Sequence, residues 1–433
     1  MKKADSRSPD QPFLCRHGFP ENKLKHFFVS FTLCFRFVLY DGLIKRKADL
    51  KMRRFLLPLL AAVLSVGIIF ILGGAAAVAE TSSYIYQYDD MFTKRDLKQS
   101  ADLTSSVEYA VSDGQDIHIT AEGVYVLTGS AKEATIYVEA DKDDKVQLVL
   151  DGLTVTNSDA PAIYVKTADK VFITVSGDSA LSVTDAFNGS DKADGVIYSK
   201  SDLVLNGTAT LTVSSPSNGI VSKDDLKITS GTYGINAAAK AIEANDSIRI
   251  ADGTLDLNAG TDGLHAENGD DDSLGYIYIA GGDITIHAQD DAIHAASVVQ
   301  VNDGRIAVTG SEGIEGTYIQ LNGGSISIDA KDDGVNAGQK SGAYRAKVEI
   351  NGGSLTVIMA SGDTDGIDSN GDIIVNGGTI NVTGNSSFDY DGSATYNGGT
   401  IIVNGQQLNY IPNQMMGGGG RGGMDSWGKR DGW

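Results

Sequence analysis

The chain has 433 residues, with 35 Lys and Arg against 56 Asp and Glu, and its formal net charge is −21 at pH 7. A chain this acidic lacks the basic footprint that nucleic-acid binding needs, and it disfavours docking on anionic lipid. The excess of carboxylates suits a soluble exported product, a cation binder, or both.

The first 79 residues are expected to be a leader that is absent from the mature protein. Residues 1–51 hold both cysteines and no repeat, and we interpret them as an over-extended N-terminus with Met52 as the true start. The basic residues after Met52, the 18-residue apolar run Phe55–Leu72 and the exit Ala77-Val-Ala predict a signal peptide over 52–79. An uncleaved anchor is the alternative, because such a run approaches a membrane span. Either outcome places the protein outside the cell or on its surface.

Three further regions follow in the chain. Residues 80–130 are polar and are interpreted as an N-terminal cap over the first coil of a repeat, since an open end would expose strand edges and core. Residues 131–411 carry the repeat. Residues 412–433 are rich in glycine and are predicted to be disordered, because glycine without apolar partners cannot offset its ordering entropy.

One short phrase recurs through the repeat region, with an aliphatic residue as its third member. The seven aliphatic residues are Ile220, Ile242, Leu264, Ile293, Ile314, Val335 and Ile367. Their spacings are 22, 22, 29, 21, 21 and 32 residues. A period near 21 that is lengthened only by insertions indicates a repeat architecture.

The repeat predicts an all-β chain built as a parallel β-helix. Short segments of alternating polarity, such as Ile284-Thr-Ile-His and Ile326-Ser-Ile-Asp, are separated by glycine pairs that favour sharp corners. Three strands and three corners use about 21 residues, so the region holds about ten coils stacked ~4.8 Å apart. An antiparallel sandwich is the rival, but it does not usually repeat one phrase at this period.

Two columns of polar residues accompany the aliphatic residues, and both are expected to face outward. The residue after each aliphatic residue gives the first column, Glu243, His265, His294, Glu315, Asn336 and Asp368. The residue two positions before it gives the second column, Asp262, Asp291, Glu312, Asp333 and Asp365, with Asp290, Asp332 and Asp363 beside it. Strand alternation alone would turn the second column inward, so this prediction assumes a corner between the two columns.

These columns predict Ca²⁺ as the cofactor. Carboxylates ~5 Å apart repel by about 3 kcal/mol at an effective dielectric near 20, so a cation between them would be stabilising. Ca²⁺ prefers several oxygen ligands at about 2.3–2.6 Å. The alternative is a solvated face, because aspartate is common before a turn glycine.

Five other residues are predicted to contact a ligand. They are His265, His294, Tyr344, Arg345 and Tyr390. The histidines belong to the outward column, and Tyr344 and Arg345 lie in the longest insertion, where binding loops tend to occur. Tyr390 is one of several candidate outward aromatics, whose rings stack on sugar faces. The histidines could also bind a transition metal, although the oxygen-rich surroundings favour a hard cation.

Several motifs resemble one known family. They are Asp262-Gly-Leu-His-Ala-Glu-Asn, Asp290-Asp-Ala-Ile-His-Ala, Glu312-Gly-Ile-Glu-Gly-Thr-Tyr, Asp332-Asp-Gly-Val-Asn-Ala, Gly362-Asp-Thr-Asp-Gly-Ile-Asp and Phe388-Asp-Tyr-Asp-Gly. The chain resembles, over roughly residues 84–420, the secreted calcium-binding carbohydrate-binding proteins with a polysaccharide-lyase-like right-handed β-helix. The resemblance implies Ca²⁺-dependent binding of plant cell-wall polysaccharide, both cellulose and acidic pectic sugars such as polygalacturonate.

Two other functions compete with non-catalytic binding. A pectate-lyase-like enzyme needs Ca²⁺ and a basic residue beside the reacting carbon, and Lys331 is the candidate base. Because no Lys or Arg recurs in register with the acids, we predict that the chain is not an enzyme. A structural surface protein or adhesin is the second alternative. We expect a monomer that binds polysaccharide, and no membrane association after signal cleavage.

Overall fold

A computed structural model describes residues 84–189, 191–362 and 364–413. These residues belong to the second of the two units into which the chain divides, Ser82–Trp433. The predicted over-extended N-terminus, signal peptide and most of the predicted tail, residues 1–51, 52–79 and 414–433, lie outside the described residues, as does Asp363. Within the described residues, no helix is long and apolar enough to span a bilayer.

The described residues form one four-residue helix, α1 (Tyr88–Met91), and two sheets, which we call the short sheet and the long sheet. The short sheet has twelve strands: β2 (Ile117–Ile119), β4 (Ile136–Glu139), β6 (Ile163–Thr167), β9 (Gly195–Ser199), β12 (Asn218–Ser222), β15 (Ile242–Ala244), β18 (Leu264–Ala266), β21 (Ile293–Ala295), β24 (Ile314–Gly316), β27 (Val335–Ala337), β30 (Asp365–Ser369) and β33 (Ser386–Tyr390).

The long sheet has 24 strands, which we divide into two rows. The first row is β1 (Val107–Ala110), β3 (Gly123–Lys132), β5 (Lys145–Asn157), β7 (Lys170–Gly177), β10 (Asp202–Gly207), β13 (Asp225–Ile228), β16 (Ser247–Ile250), β19 (Tyr276–Ile279), β22 (Val298–Val301), β25 (Tyr318–Leu321), β28 (Lys347–Ile350), β31 (Asp372–Val375) and β34 (Ala394–Tyr396). The second row is β8 (Ser179–Val183), β11 (Thr210–Ser215), β14 (Thr232–Ala237), β17 (Thr254–Ala259), β20 (Asp283–Ala288), β23 (Arg305–Gly310), β26 (Ser325–Ala330), β29 (Ser354–Met359), β32 (Thr379–Thr383), β35 (Thr400–Val403) and β36 (Gln406–Leu408).

From β6 to β35 the strands recur in groups of three. Each group takes one strand from the short sheet, one from the first row and one from the second row, and we call the group a unit. Every strand pairs in parallel with its counterpart in the next unit, as β12 does with β15, β13 with β16 and β14 with β17. The prediction of an all-β chain of parallel, repeating strands is therefore confirmed.

The aliphatic residues of the phrase form one buried file in the short sheet. Ile220, Ile242, Leu264, Ile293, Ile314, Val335 and Ile367 pair in sequence, and Phe388 follows Ile367. All eight side chains are 0% exposed and belong to the main core cluster. Burying an aliphatic side chain of this size contributes roughly 1.5–3 kcal/mol, so the file fixes the register of neighbouring units. The predicted alignment of these residues is confirmed.

Close packing between units requires glycine at Gly313 and Gly334, whereas Ala241 and Ala292 occupy the same position in two other copies of the phrase. A Cβ atom on Gly313 would lie 2.4 Å from the carbonyl oxygen of Gly334 and 2.3 Å from a methyl group of Ile328. A Cβ atom on Gly334 would meet the carbonyl oxygen of Gly366 at 2.5 Å. Because real Cβ atoms do not approach so closely, a side chain at this corner would push the units apart.

A ladder of asparagine side chains runs along the corners of the long sheet. Asn322 Nδ2 donates to Asn302 Oδ1 at 2.8 Å, and Asn351 Nδ2 donates to Asn322 Oδ1 at 2.7 Å. Asn376 and Asn397 continue the series with two further bonds of 2.7 Å. Each amide thus satisfies its neighbour in the next unit, which explains why asparagine precedes the turn glycines here.

The expected N-terminal cap divides into two parts. Residues 107–130 contribute β1, β2 and most of β3, which begin the two sheets. Residues 84–98, which we call the lead-in, lie instead along the first row. The amide of Tyr86 donates to Gln300 Oε1 at 2.8 Å, and Asp96 Oδ2 lies 3.2 Å from Lys227 Nζ. The lead-in therefore does not cover the first coil, where the cap was expected. Its Met91 and Phe92 pack instead on aromatic residues in the middle of the first row.

The C-terminal end of the described residues closes differently from the rest. β36 returns along β35 in an antiparallel pairing between Ile401 and Leu408 and between Val403 and Gln406. Ile411 then packs on the main core cluster. This hairpin covers one edge of the long sheet, which would otherwise present unpaired backbone groups.

Candidate functional site

The first predicted polar column follows the short sheet in register. Glu243 pairs with His265, His265 with His294, and His294 with Glu315. Glu315 then pairs with Asn336, Asn336 with Asp368, and Asp368 with Asp389. Neighbouring parallel strands lie about 4.8 Å apart, so residues more than twenty positions apart in sequence become direct neighbours. We call this column and the acids beside it the acidic face.

The second predicted column lies on the same side of the short sheet as the first. Asp262 Oδ2 is 2.8 Å from His265 Nδ1, and Asp291 Oδ2 is 2.8 Å from His294 Nδ1. Each aspartate therefore reaches the outward residue three positions later, as the predicted corner requires. Asp262 is followed by Gly263 and Asp291 by Ala292, so the corner forms with either residue.

The first part of the face, which we call the histidine cluster, pairs opposite charges. It consists of Asp262, His265, Glu267, Asp291, His294 and Glu315. His294 Nδ1 also lies 2.6 Å from Glu315 Oε2, and the other oxygen of Glu315 lies 2.7 Å from Lys340 Nζ. The rings of His265 and His294 are stacked, with centroids 4.6 Å apart and an interplanar angle of 15°.

Burial and the paired charges shift the pKa values in this cluster. Burial opposes the charged form of His294, but Asp291 and Glu315 outweigh it and raise the pKa to about 9. Burial likewise opposes ionisation of Glu315, yet His294 and Lys340 hold its pKa below the usual range. The histidine cluster is thus a network of compensated charges at neutral pH.

Glu243 lies at the N-terminal end of the same column and is also neutralised by protein groups. Its two carboxylate oxygens lie 2.7 Å from Lys223 Nζ and 3.4 Å from Lys240 Nζ. Burial raises the pKa of Glu243, but the two lysines outweigh that effect and hold it low. Calcium at Glu243 stays a prediction, although these lysines already supply the compensating charge.

The second part of the face, which we call the carboxylate cluster, consists of Asp333, Asp365, Asp368 and Asp389. Among the residues that the structure describes, no Lys, Arg or His lies within 4.0 Å of the carboxylates of Asp333, Asp368 or Asp389. Asp333 Oδ1 accepts a bond from the amide of Asp365 at 3.0 Å. Asp389 Oδ1 is buried and has no hydrogen-bond donor in the described structure.

The carboxylate cluster therefore holds its charges at a cost. Burial, together with the charges of Asp333, Asp365 and Asp389, raises the pKa of Asp368 to about 7. Burial and the surrounding aspartates raise the pKa of Asp333 to about 6. Glu312, between the two clusters, has its pKa raised to about 8 by burial and then by Glu315 and Asp291. A cation here would relieve both the repulsion and the desolvation.

The remaining predicted site residues are more scattered. Asp290 and Asp332 are exposed beside the face, and Asp363 lies outside the described residues. Arg345 is exposed, whereas Tyr344 packs in the aromatic cluster under the lead-in, with its hydroxyl 3.5 Å from that of Tyr86. Tyr390 packs against the main core cluster. The structure thus does not bring Tyr344 and Tyr390 into the acidic face.

The column extends further towards the N-terminus than the phrase predicts. Before Glu243 the residues in register are His118, Tyr137, Tyr164, Tyr198 and Val221. Tyr164 and Tyr198 are 3% and 5% exposed, so they serve packing, whereas Tyr137 is half-buried with Lys166 Nζ 4.2 Å from its ring centroid. The recurring Ile-Tyr dipeptide at 136, 163 and 197 is the signal that could have located this aromatic stretch.

Comparison with known proteins gives a family for this chain. The family described as carbohydrate-binding domain-containing proteins matches residues 113–363, which is more than half of the chain. The chain belongs to this family. The matched region includes the histidine cluster and Asp333 of the carboxylate cluster. Membership supports carbohydrate binding as the general activity.

Two relatives show how far the similarity extends. A carbohydrate-binding domain-containing protein of Acetivibrio thermocellus is 41% identical over 202 residues, which cover 45% of this chain and 71% of the relative. A solved structure of the polysaccharide lyase-like protein from C. thermocellum, in a gadolinium derivative, is 31% identical with a TM-score of 0.44. That similarity covers 51% of this chain and 93% of the solved chain.

Proposed function

We propose that this protein is a non-catalytic, Ca²⁺-dependent binder of acidic plant cell-wall polysaccharide, with polygalacturonate as the model ligand. One observation carries the proposal. In a member of a carbohydrate-binding family, Asp333, Asp368 and Asp389 share a partly buried cluster in which no described basic side chain neutralises them. Such a cluster binds a divalent cation more readily than a surface of solvated acids does.

The donor set of the cluster fits calcium. Ca²⁺ takes 6–8 oxygen ligands, from carboxylates, backbone carbonyls and waters. The buried Oδ1 of Asp389 has no donor in the described structure, and the carboxylates of Asp333 and Asp368 are neighbours of raised pKa. When bound, Ca²⁺ would supply the positive charge that these residues lack. Asp365 and Asn336 would contribute further oxygens from the adjoining strand positions.

The same ion gives a reason for preferring an acidic polymer. A cation held by three or four carboxylates retains open coordination positions, and a uronate carboxylate is a suitable ligand for them. A neutral glucan would use no charge at this cluster. The preference for polygalacturonate therefore follows from the cluster, whereas binding of cellulose follows only from the family resemblance of the sequence.

We further propose that the stacked units form a right-handed parallel β-helix. Three strands recur in a fixed order from β6 to β35, and each pairs in parallel with its counterpart one unit later. A chain that repeats three strands in this way advances about 4.8 Å per unit. The resulting flank would be long enough to follow an extended polymer over several sugars.

The proposed setting is outside the cell. The sequence from Met52 to Ala79 has the pattern of a signal peptide, and the acidic composition suits an exported protein. We propose a monomer, because a stack of parallel units with a hairpin at one end needs no second chain to complete the face. Membrane association after cleavage is not expected.

The lyase alternative is less well supported than binding. Lys331, the candidate base, is exposed, whereas Lys340 contacts Glu315 on the acidic face. Burial alone would lower the pKa of Lys340, but Glu315, Glu312 and Asp291 outweigh it and raise it above the usual value. A lysine held in its charged form is a poor general base. We therefore expect no release of unsaturated uronide from polygalacturonate.

A sedimentation assay with insoluble polygalacturonate tests the proposal. The full chain is expected to bind in Ca²⁺ and to remain in solution in EDTA. Asp368→Asn and Asp333→Asn should each weaken binding by about tenfold or more, as expected for removal of a metal ligand. Asp329→Asn is the matched control, because Asp329 is an exposed acid on the second row.

Three outcomes would count against the proposal. Binding that is unchanged in EDTA would remove the role of calcium. Binding that survives Asp368→Asn and Asp333→Asn would place the ligand elsewhere on the molecule. No binding to polygalacturonate or cellulose would favour the structural surface protein instead.

A further inference from the structure

We propose that His265, His294 and Glu267 form a binding site for one divalent transition-metal ion such as Zn²⁺ or Co²⁺, distinct from the proposed calcium cluster. The site belongs to the histidine cluster, and its ligands come from β18, β21 and the residue that follows β18. It goes beyond carbohydrate binding and does not depend on it.

The three side chains already converge. One ligand atom from each of His265, Glu267 and His294 lies within 4.8 Å of the other two. Glu267 Oε2 is 3.3 Å from His265 Nε2, and the imidazole centroids are 4.6 Å apart. Zn²⁺ binds histidine nitrogen at about 2.0–2.1 Å and carboxylate oxygen at about 2.0–2.2 Å, so a shared ion would draw the three ligand atoms closer together and tilt the rings.

Each histidine has an aspartate beside Nδ1. His265 Nδ1 lies 2.8 Å from Asp262, and His294 Nδ1 lies 2.8 Å from Asp291. The hydrogen bond between His294 Nδ1 and Asp291 fixes that ring, whereas the His265–Asp262 contact is an ion-pair distance without a hydrogen bond. Metal-binding histidines commonly have such a carboxylate on the other ring nitrogen, which raises the basicity of the ligand.

The repeat explains why the arrangement occurs twice. The sequences Asp262-Gly-Leu-His and Asp291-Ala-Ile-His occupy equivalent positions in neighbouring units, with His265 and His294 in register. Stacking two copies of one phrase therefore places two identical Asp–His pairs side by side. The parallel pairing of β18 with β21 makes the distance between the rings a property of the backbone rather than of chance side-chain positions.

The nature of the donors selects the metal. Two imidazole nitrogens and one carboxylate are borderline ligands that suit Zn²⁺, Co²⁺ or Ni²⁺, whereas Ca²⁺ and Mg²⁺ prefer oxygen alone. Three protein ligands would leave at least one coordination position for water or a ligand. Glu267 closes the set from the surface, because its side chain is 62% exposed and free to turn.

Binding of one ion by both imidazoles would change the ring geometry, and the bound ion can be detected spectroscopically. A metal lies in the plane of each imidazole that binds it, so two rings at an interplanar angle of 15° must tilt towards a common ion. Co²⁺ held by two imidazoles and a carboxylate in a four-coordinate site absorbs visible light far more strongly, and at longer wavelength, than hexaaqua Co²⁺ does. Co²⁺ is therefore the probe for coordination, and Zn²⁺ is its competitor.

The experiment uses the full chain with Cys15→Ser and Cys34→Ser, because thiolates would bind the same metals. The protein is stripped with chelator, which is then removed, and titrated with Co²⁺ at pH 8 in the presence of excess Ca²⁺. We expect one Co²⁺ per chain, a visible spectrum of bound cobalt, and displacement of Co²⁺ by Zn²⁺. Glu267→Gln, His265→Gln and His294→Gln should each weaken binding by about tenfold or more.

The control is His118→Gln. His118 Nδ1 lies 3.0 Å from Glu139, so it provides an exposed His–carboxylate pair that lacks a second histidine in register. This variant should bind Co²⁺ as the parent does. Circular dichroism and melting of each variant separate loss of ligand from loss of fold, and the exposed Glu267 keeps the test valid if a histidine variant unfolds.

The possible results decide the proposal. Loss of Co²⁺ binding in Glu267→Gln with retention in His118→Gln supports it. The absence of the cobalt spectrum in the parent protein overturns it, as does an affinity that Glu267→Gln leaves unchanged or that excess Ca²⁺ abolishes. Because polygalacturonate is absent from the assay, failure here leaves the proposed sugar binding untouched.

Discussion

The histidine cluster and the carboxylate cluster occupy the same face and arise from the same phrase, yet they handle charge in opposite ways. In the first, Asp262 and Asp291 each meet a histidine three residues later. In the second, Asp333 and Asp365 are followed at that position by Asn336 and Asp368. One substitution pattern therefore converts a self-neutralised network into a set of acids without a neutralising basic side chain among the described residues.

An acidic repeat is therefore not one long metal site. Lys223, Lys240 and Lys340 neutralise the N-terminal half of the face, and no described basic group does so at Asp333, Asp368 and Asp389. The two halves are therefore expected to respond differently to substitution, to calcium and to pH. Four predictions test this difference, ordered by the size of the expected effect.

The largest effect is expected for His294→Ala. The substitution leaves Asp291 and Glu315 partly buried with Lys340 as the remaining cation nearby, and removing one partner of a buried ion pair costs about 3–5 kcal/mol. Urea unfolding in EDTA measures the loss of free energy of unfolding. The control His287→Ala, at an exposed position, should change it by less than about 0.5 kcal/mol. A loss below about 1 kcal/mol for His294→Ala would mean that the cluster is not self-neutralised.

Calcium should stabilise the carboxylate cluster and do little for the histidine cluster. At a Ca²⁺ concentration about 100 times the Kd, binding to the folded state adds about 2.7 kcal/mol to the free energy of unfolding. Thermal unfolding with and without Ca²⁺ should show this gain in the parent protein and in His294→Gln, but not in Asp368→Asn. An equal gain in all three proteins would break the distinction between the clusters.

A loss of stability near pH 9 should be specific to the histidine cluster, whereas the loss below pH 7 is shared, because burial also raises the pKa of Asp291 to about 6. In EDTA, folding raises the pKa of Asp368 from an ordinary 3.8 to about 7 and that of Asp333 to about 6. Their contribution to the free energy of unfolding is therefore most favourable below pH 4 and is lost as the pH rises to about 7. His294 rises from 6.5 to about 9, so its contribution persists below pH 6.5 and is lost as pH rises through 9.

Chemical unfolding between pH 4 and 10 measures these two phases. Asp368→Asn should remove roughly 1–3 kcal/mol of the lower phase, a range reduced for partial exposure of the group, and His294→Gln should remove the upper phase. Excess Ca²⁺ should flatten the lower phase alone. A single phase that both variants change equally would show that the clusters titrate as one.

The smallest effect is expected for Lys240→Met. Glu243 keeps Lys223 at 2.7 Å after this change, so the loss should be about 0.2–1 kcal/mol, as for a partly exposed ion pair. Unfolding of Lys240→Met and Lys223→Met, compared with the double variant, gives the coupling between the two lysines. A double variant that costs no more than either single change would contradict the assignment of both lysines to Glu243.

The alignment of the columns could be predicted from the sequence because the physical cause is local. A buried aliphatic residue that recurs once per unit, at spacings of 21 to 32 positions, forces its neighbours into register, so Glu243, His265 and His294 must stack once Ile242, Leu264 and Ile293 do. The corner that turns Asp262 outward was an assumption, because strand alternation alone would turn this column inward. The alignment requires knowledge of one strand and its repeat, and nothing from elsewhere in the chain.

The partners of the columns could not be predicted in the same way. Lys340 lies in the insertion after β27 and contacts Glu315. Because an insertion lies outside the repeat, the repeat does not predict where its side chains point. The lead-in was expected at the first coil because an open end of the stack would expose strand edges and core, yet Tyr86 stacks on Tyr276 with ring centroids 4.4 Å apart. Such contacts depend on which distant surface is apolar, and this becomes apparent only when the sheets are assembled.

The path of the lead-in has a consequence for how the molecule resists unravelling. In a stack of repeats each unit touches only the units beside it, so an end can fray without disturbing the middle. Here Arg95 lies over the Phe172 ring of β7, while the amide of Ile85 donates to Gln320 of β25. One short segment thus contacts units from that of β7 to that of β25. Separating one of these units from the sheet would therefore also break contacts with the lead-in that its neighbours share.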